Sequence, residues 1–190
     1  MPTNAGCTGE TACATKLMVR KARIGDIHEL LNLINGYAAQ GIMLPRTEFE
    51  MSENIRDFTV VFLDGRLVGC GALHFYTPTT AEVRSLAVDP SLKTSGVGRV
   101  LMDALEGEAR ENDLHAIFAF TYVPGFFRKL GFKEVDRGEL PLKAWKDCLR
   151  CPKFQACDEI AVLKPLRSHF VPGPEAGLES ILIQLPQVRR

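Results

Sequence analysis

The chain has 190 residues, 46% of them hydrophobic and 24% charged, with 23 Lys and Arg against 23 Asp and Glu. That is enough apolar material for one domain-sized core, and the balanced charge argues against a non-specific nucleic-acid binder, which needs a basic excess. No apolar run approaches the ~20 residues of a membrane span, and the start, MPTNAGCTGETACATK, lacks the basic end and apolar centre of a secretory leader; a cytoplasmic protein with reduced cysteines is expected.

Residues 1–16 are small, polar and aperiodic, the composition of a mobile tail. Leu17 to Arg23 alternates as a first strand. Asp26 then stands near the start of a helix whose apolar face is Ile27, Leu30, Leu31 and Ile34 and which ends near Asn35-Gly36 or just past them at Tyr37. Gly41 to Arg46 is a loop. Thr47 caps a short helix reaching Ile55, with Glu50 in the capping-box position. Phe58–Leu63 is a strand by its β-branched and aromatic content, Asp64-Gly65 a two-residue hairpin turn, and Leu67–Phe75 the return strand, thinned by Gly69 and Gly71. After a turn over Thr77–Thr80, Glu82–Val88 is the central strand, stopped by Asp89-Pro90. Gly96 and Gly98 follow a polar loop and open a helix with Val97, Val100, Leu101, Ala104 and Leu105 on one face. His115–Phe120 reads as a buried strand, Pro124–Leu130 as a short helix with proline in its first turn, Phe132–Val135 as a strand, Glu139–Cys148 as a helix and Asp158–Leu163 as the last strand. Residues 167–190 are a proline-bearing extension. Strands followed by strands alternating with helices give an α/β fold on a mixed sheet.

The stretch from Ala81 to Arg110 organises the chain. A strand, a glycine-bearing loop and a helix N-terminus form an anion site, because the first helical N–H groups lack partners and the helix dipole favours negative charge there. Lys93, Ser95 and Arg99 add charge and donors. The dinucleotide fingerprint fails, since Leu101 stands where its third glycine belongs, and no Gly-Lys-Ser/Thr makes a Walker loop. A tight turn with close packing is the plainer alternative.

The segment Lys93-Thr94-Ser95-Gly96-Val97-Gly98 resembles the Arg/Gln-x-x-Gly-x-Gly/Ala loop of the GNAT acetyltransferases, with Lys in the first position. The block Pro124–Phe132 resembles the later helix of that family, which usually carries Tyr-x-x-x-Gly-Phe; here Phe127 replaces the tyrosine. Together the blocks make a resemblance over Met18 to Leu166. It implies a splayed central sheet of six or seven strands flanked by helices, with the pantetheine arm of acetyl-CoA lying in the splay. It also implies a pyrophosphate held by Lys93, Thr94, Ser95, Gly96, Val97, Gly98 and Arg99, a thioester oxygen met by backbone N–H groups around Leu86, Ala87 and Val88, and a cofactor contact at Phe127.

A closer resemblance, to the acetyltransferase domains of N-acetylglutamate synthases, rests on Gly41-Ile42-Met43-Leu44-Pro45-Arg46, on Glu82 and on the block Lys143–Phe154, which is similar to short single-domain members. It implies an amino-acid acceptor, most simply L-glutamate, and arginine biosynthesis. Acetyl transfer to an amine needs a base, an oxyanion donor, a proton or dipole for the leaving thiolate, and substrates held together. Glu82 is the base candidate, against an exposed strand-end carboxylate. Tyr122 is the acid candidate, against a half-buried packing residue. Arg46 and Arg84 are the carboxylate ligands, since a guanidinium fork matches a carboxylate; Arg84 shares a strand face with Glu82, and an ion pair between those two is its plainer reading. Cys148, Cys151 and Cys157 lack the second close pair or histidine of a zinc site and are read as thiols with no metal. His28 is read as a surface or half-buried residue. A peptide N-acetyltransferase and a non-catalytic CoA-binding module stay open as alternatives. The partners expected are acetyl-CoA and a small amino acid, with no nucleic acid or membrane and with a homodimer left open.

Overall fold

The computed structural model describes residues 17–93, 95–140 and 151–168. Among these, seven strands form one sheet in the order β1-β2-β3-β4-β5-β7-β6. They are β1 Leu17–Lys21, β2 Phe58–Leu63, β3 Arg66–Phe75, β4 Thr80–Val88, β5 Ala116–Thr121, β6 Lys133–Glu134 and β7 Ile160–Pro165. The helices are α1 Ile27–Ala38, α2 Glu48–Asn54, α3 Val97–Glu111 and α4 Pro124–Lys129. Only β4 and β5 run parallel; the other neighbours pair antiparallel.

Local signals account for most elements. Thr47 accepts from the Glu50 N–H and Glu50 answers at the Thr47 N–H, closing the capping box of α2. Asp64 (φ 50°) and Gly65 (φ 83°) are both left-handed, as the tight β2–β3 hairpin requires. The alternation of β2 sends Phe58, Val60 and Phe62 to α1 and α2, and Val61 to α3. Cys70 and Ala72 of β3 join the α1 side, where burial pushes the Cys70 thiol up to about 12. On the α3 side β3 carries Gly69 and Gly71. A Cβ at Gly69 would sit 2.9 Å from Val97 Cγ1 and 3.0 Å from Leu101 Cδ1, and one at Gly71 would sit 2.9 Å from Leu86 Cδ1. These glycines let α3 lie close against the sheet.

The structure amends several expectations. The buried face of α3 is Val97, Leu101, Met102, Leu105 and Ala109; Ala104 and Val100 are only half-buried, because the helix spans several strands and its apolar stripe is turned toward Met102. A 3-10 turn, Pro90–Leu92, capped by the Asp89 carboxylate, occupies part of the expected polar loop. Glu139 ends another 3-10 turn, Arg137–Glu139, and Leu140 is extended, so a helix does not start there; residues 141–148 of that expected helix lie outside the described residues. So do the tail 1–16, Thr94, Cys148 and all of the extension from residue 169 on. No helix among the described residues is long and apolar enough to cross a membrane.

Two irregularities of β4 shape its far end. Opposite Gly71, β4 has one residue too many: Cys70 pairs with Ala87 while Ala72 pairs with Arg84. This bulge puts Ser85 at φ 52°, a left-handed conformation held without glycine. The ladder to β5 covers only Thr80↔Ala116, Ala81↔Ile117 and Glu82↔Phe118. Beyond it β5 continues beside β7 to Thr121, whereas β4 from Val83 onward has no β5 partner. The sheet is therefore split from Glu82 outward.

Candidate active site

The split opens into a cleft of about 730 Å³, a size that suits a small-molecule site. One wall is β4 from Glu82 to Val88, with Lys93 beyond it; a second is the end of α1 and the loop Gly41–Arg46; a third is formed by Phe120–Val123, Phe126, Phe127, Arg137, Cys151, Lys153, Cys157 and Glu159. Glu82 and Arg84 share a strand face, as period-2 alternation demands, while Val83 packs toward α3. Glu82, 8% exposed, marks the point where the ladder stops. Directly across the sheet from it is His74, whose Nδ1 lies 2.5 Å from Asp57.

Arg84 also reaches Asp57, at 3.7 Å, and Asn54, at 3.4 Å. Its guanidinium is thus partnered from the turn after α2, a contact that the strand spacing alone did not indicate. Arg46 is placed by its backbone. Its N–H donates to Asn35 Oδ1 at 2.9 Å, and Asn35 Nδ2 donates to its carbonyl at 3.0 Å, so the last turn of α1 holds the loop at both faces of one residue. Tyr37 Oη donates to the Val88 carbonyl at 2.6 Å and ties α1 to the end of β4; Lys93 Nζ stands 5.2 Å over the same ring.

The α3 N-terminus is the second part of the site. Gly96, at φ 88°, is its N-cap; no side chain among the described residues caps the helix, and its first turn holds no acid. A Cβ at Gly96 would meet nothing within 4 Å, and the first N–H groups of the helix have no intrahelical partner. One at Gly98 would lie 3.4 Å from the Phe126 ring and 3.8 Å from Val88, which fixes the helix start beside two cleft residues. The unsatisfied donors, the dipole and Lys93 fit a pyrophosphate. Ser95 Oγ donates to the Leu92 carbonyl at 2.6 Å, and the Arg99 guanidinium lies along the helix 3.7 Å from Asp103.

On the third wall, Tyr122 Oη accepts from Lys153 Nζ at 3.2 Å. Burial holds the phenol above its ordinary range, and the Lys153 hydrogen bond opposes that rise. Burial also raises the Glu159 carboxyl. Phe127 is 3% exposed and packs edge-on against Phe126 and Phe132. Cys157 Sγ accepts from Arg137 at 3.2 Å, and Arg137 also donates to the Glu159 carbonyl. Cys151 and Cys157 are free thiols, and no group of three potential metal ligands occurs among the described residues.

Residues 25–132 match the model of the acetyltransferase (GNAT) family. The chain belongs to the GNAT acetyltransferases. It is an N-acetyltransferase, and acetyl-CoA is its co-substrate. It is 42% identical over 153 residues to an uncharacterized N-acetyltransferase of Chlorobaculum tepidum, covering 80% of this chain and 99% of that one. It is 34% identical over 122 residues to the amino-acid acetyltransferase of Mycobacterium tuberculosis, covering 63% of this chain and 70% of the relative. Its backbone superposes with a TM-score of 0.73 on N-acetylglutamate synthase from Neisseria gonorrhoeae, solved with coenzyme A and N-acetyl-glutamate, at 27% identity over 80% of this chain and 35% of the other. The present chain thus spans about a third of the Neisseria protein.

The GNAT cleft gathers Arg46, Glu82, Arg84, Leu86, Ala87, Val88, Lys93, Tyr122 and Phe127. Ser95, Gly96, Val97, Gly98 and Arg99 sit at the head of α3 rather than in the lining. Sequence reasoning passed over Asn35, Tyr37, Lys153, Arg137 and Glu159. For Asn35 and Tyr37 a faint signal existed: an amide and a phenol at the end of an apolar helix face, just before the loop that bears Arg46.

Proposed function

We propose that the enzyme transfers the acetyl group of acetyl-CoA to the α-amine of L-glutamate, the entry reaction of arginine biosynthesis. The observation that carries this reading is the convergence of Arg46, Glu82 and Arg84 on one cleft at the point where β4 leaves β5. The names of the mycobacterial relative and of the Neisseria structure support the same acceptor class. Among the described residues seven charged ones line the cleft, five of them cations (Arg46, Arg84, Lys93, Arg137, Lys153) and two carboxylates (Glu82, Glu159). That balance suits a dicarboxylate and disfavours a lysine-bearing peptide.

In this reading Arg46 takes one carboxylate of glutamate and Arg84, steadied by Asp57 and Asn54, takes the other. Glu82 removes the proton that the amine must lose, directly or through water. Backbone N–H groups at Leu86–Val88, re-aimed by the Ser85 bulge, receive the thioester oxygen as its charge grows. The α3 N-terminus and Lys93 hold the pyrophosphate, and Tyr122 supplies the proton that the departing sulfur needs, in place of the phenol that Phe127 lacks.

The test is CoA-thiol release from acetyl-CoA with a panel of free amino acids, glutamine, polyamines and a lysine peptide. Glutamate should be fastest, with glutamine slower because it loses one charge-assisted pair. Faster turnover of lysine or peptide removes the glutamate assignment and leaves the acetyltransferase intact.

A further inference from the structure

We propose that Lys153 is a positioning residue for proton transfer from Tyr122 to the sulfur of departing CoA, an inference that rests on Tyr122 being the proton donor. The α4 helix brings no hydroxyl, since Phe127 is buried between Phe126 and Phe132. Tyr122 stands on the turn between β5 and α4, where Thr121 Oγ1 accepts from the Val123 N–H at 3.0 Å and fixes the backbone. From the loop before β7, Lys153 meets this phenol twice: Nζ lies 3.2 Å from the hydroxyl and 4.7 Å over the ring. Both residues line the cleft.

The chemistry of the pair is directional. An ammonium only donates, so the Tyr122 oxygen must accept from it and the phenol's own proton must point elsewhere. Two other charged groups act on the hydroxyl, Asp158 and Glu159, and both disfavour a phenolate; Lys153 is the group that favours one. Asp158 lies 3.5 Å from Lys153 and is largely open to solvent; it is also a hydrogen-bond partner of the Tyr122 hydroxyl, so the phenol's proton must turn from this carboxylate to reach the sulfur.

The step balances as follows. The acceptor, already a neutral amine after giving one proton to Glu82 or water, bonds through nitrogen to the acetyl carbon, and the N–H⁺ so formed releases its second proton to water. The C–S bond breaks and its electron pair goes to sulfur, which takes the Tyr122 proton and leaves as the thiol. The phenolate rests against the Lys153 ammonium until water returns a proton.

The experiment compares kcat and KM against pH for the parent, Lys153→Met, Lys153→Arg, Tyr122→Phe and the Lys153→Met/Tyr122→Phe double variant, with acetyl-CoA and the fastest acceptor of the panel. Lys153→Met should lower kcat by about tenfold, the scale of one hydrogen bond to a charged group, with KM for acetyl-CoA unchanged. Its alkaline limb should move to higher pH, because losing the cation raises the pH at which the phenol ionises. Lys153→Arg should recover most of kcat, and the double variant should match Tyr122→Phe. An equal loss from Lys153→Met in both backgrounds, or no loss where Tyr122→Phe is slow, overturns the role of Lys153 and leaves the Tyr122 reading standing. An unchanged kcat in Tyr122→Phe overturns that reading itself, and this inference with it.

Discussion

Asn35 offers the sharpest test of how the acceptor site is built, because it touches Arg46 only through the backbone. Asn35→Ala removes two hydrogen bonds, at 2.9 and 3.0 Å, that dock residue 46 on α1. At about 0.5–1.5 kcal/mol each, the docked loop loses about 1–3 kcal/mol, a shift of roughly five- to 150-fold in its docked-to-released ratio. The loop keeps its tethers at the other end, where the Gly41 N–H donates to the Ala38 carbonyl and the Ile42 N–H to the Tyr37 carbonyl. The lower part of the range therefore applies, and KM for the acceptor should rise by up to about 5- to 20-fold through the reduced competent fraction. Initial velocities at saturating acetyl-CoA measure it directly. KM for acetyl-CoA and kcat should hold, since neither Glu82 nor the α3 terminus is touched. Asn35→Asp keeps the acceptor for the Arg46 N–H but loses the donor, and should fall between. An unchanged acceptor KM in a well-folded Asn35→Ala protein refutes the reasoning.

Glu82→Gln preserves shape and removes basicity; kcat should fall by about 10²-fold or more with acetyl-CoA binding by calorimetry unchanged, and an unaltered kcat from pH 6 to 9 would leave Glu82 a buried strand carboxylate with no part in the chemistry. Gly69→Ala drives a methyl to 2.9 Å from Val97 and 3.0 Å from Leu101; it should cost about 1–3 kcal/mol of overpacking in denaturant unfolding, and parental stability would show that α3 has slack. The Arg20 guanidinium, bonded at 2.7 and 2.9 Å, holds the Asp26 carboxyl below its usual range. A carboxyl depressed in the folded state stabilises above its unfolded pKa, ~3.9, and loses that stabilisation as pH falls through the folded value. Arg20→Met should therefore lower Tm at neutral pH, with the gap to the parent closing on acidification; a gap that stays constant down to pH 2 contradicts the linkage.

Elements whose signals are local were legible before any coordinates: the Asp64-Gly65 hairpin, the Thr47 capping box and the helix behind Gly96 each depend on neighbours within a few residues. The left-handed Gly96 at the head of α3 was legible for the same reason, since the glycine and the helix behind it belong to one short stretch. The bulge at Ser85 was not. Serine has no preference for φ 52°; the conformation is imposed by the register against β3, where Gly71 leaves room for Leu86. Arg84 found Asp57, 27 positions earlier, because the turn after α2 crosses the strand face, and no pattern in β4 encodes that crossing. Lys153 met Tyr122 through the placement of β7 between β5 and β6, a strand order that sequence adjacency does not give.

The short β4–β5 ladder has a kinetic consequence. In the proposed reading, the free edge of the strand past Glu82 and the orphan amides at the head of α3 meet mainly the cofactor's arm and diphosphate, and only the Leu86–Val88 amides meet the acetyl oxygen. The arm and diphosphate contacts of that reading would be common to acetyl-CoA and spent CoA, and so amount to uniform binding. Free CoA should thus compete with acetyl-CoA at comparable affinity, and the enzyme's rate in a cell would follow the ratio of the two pools rather than the level of acetyl-CoA alone.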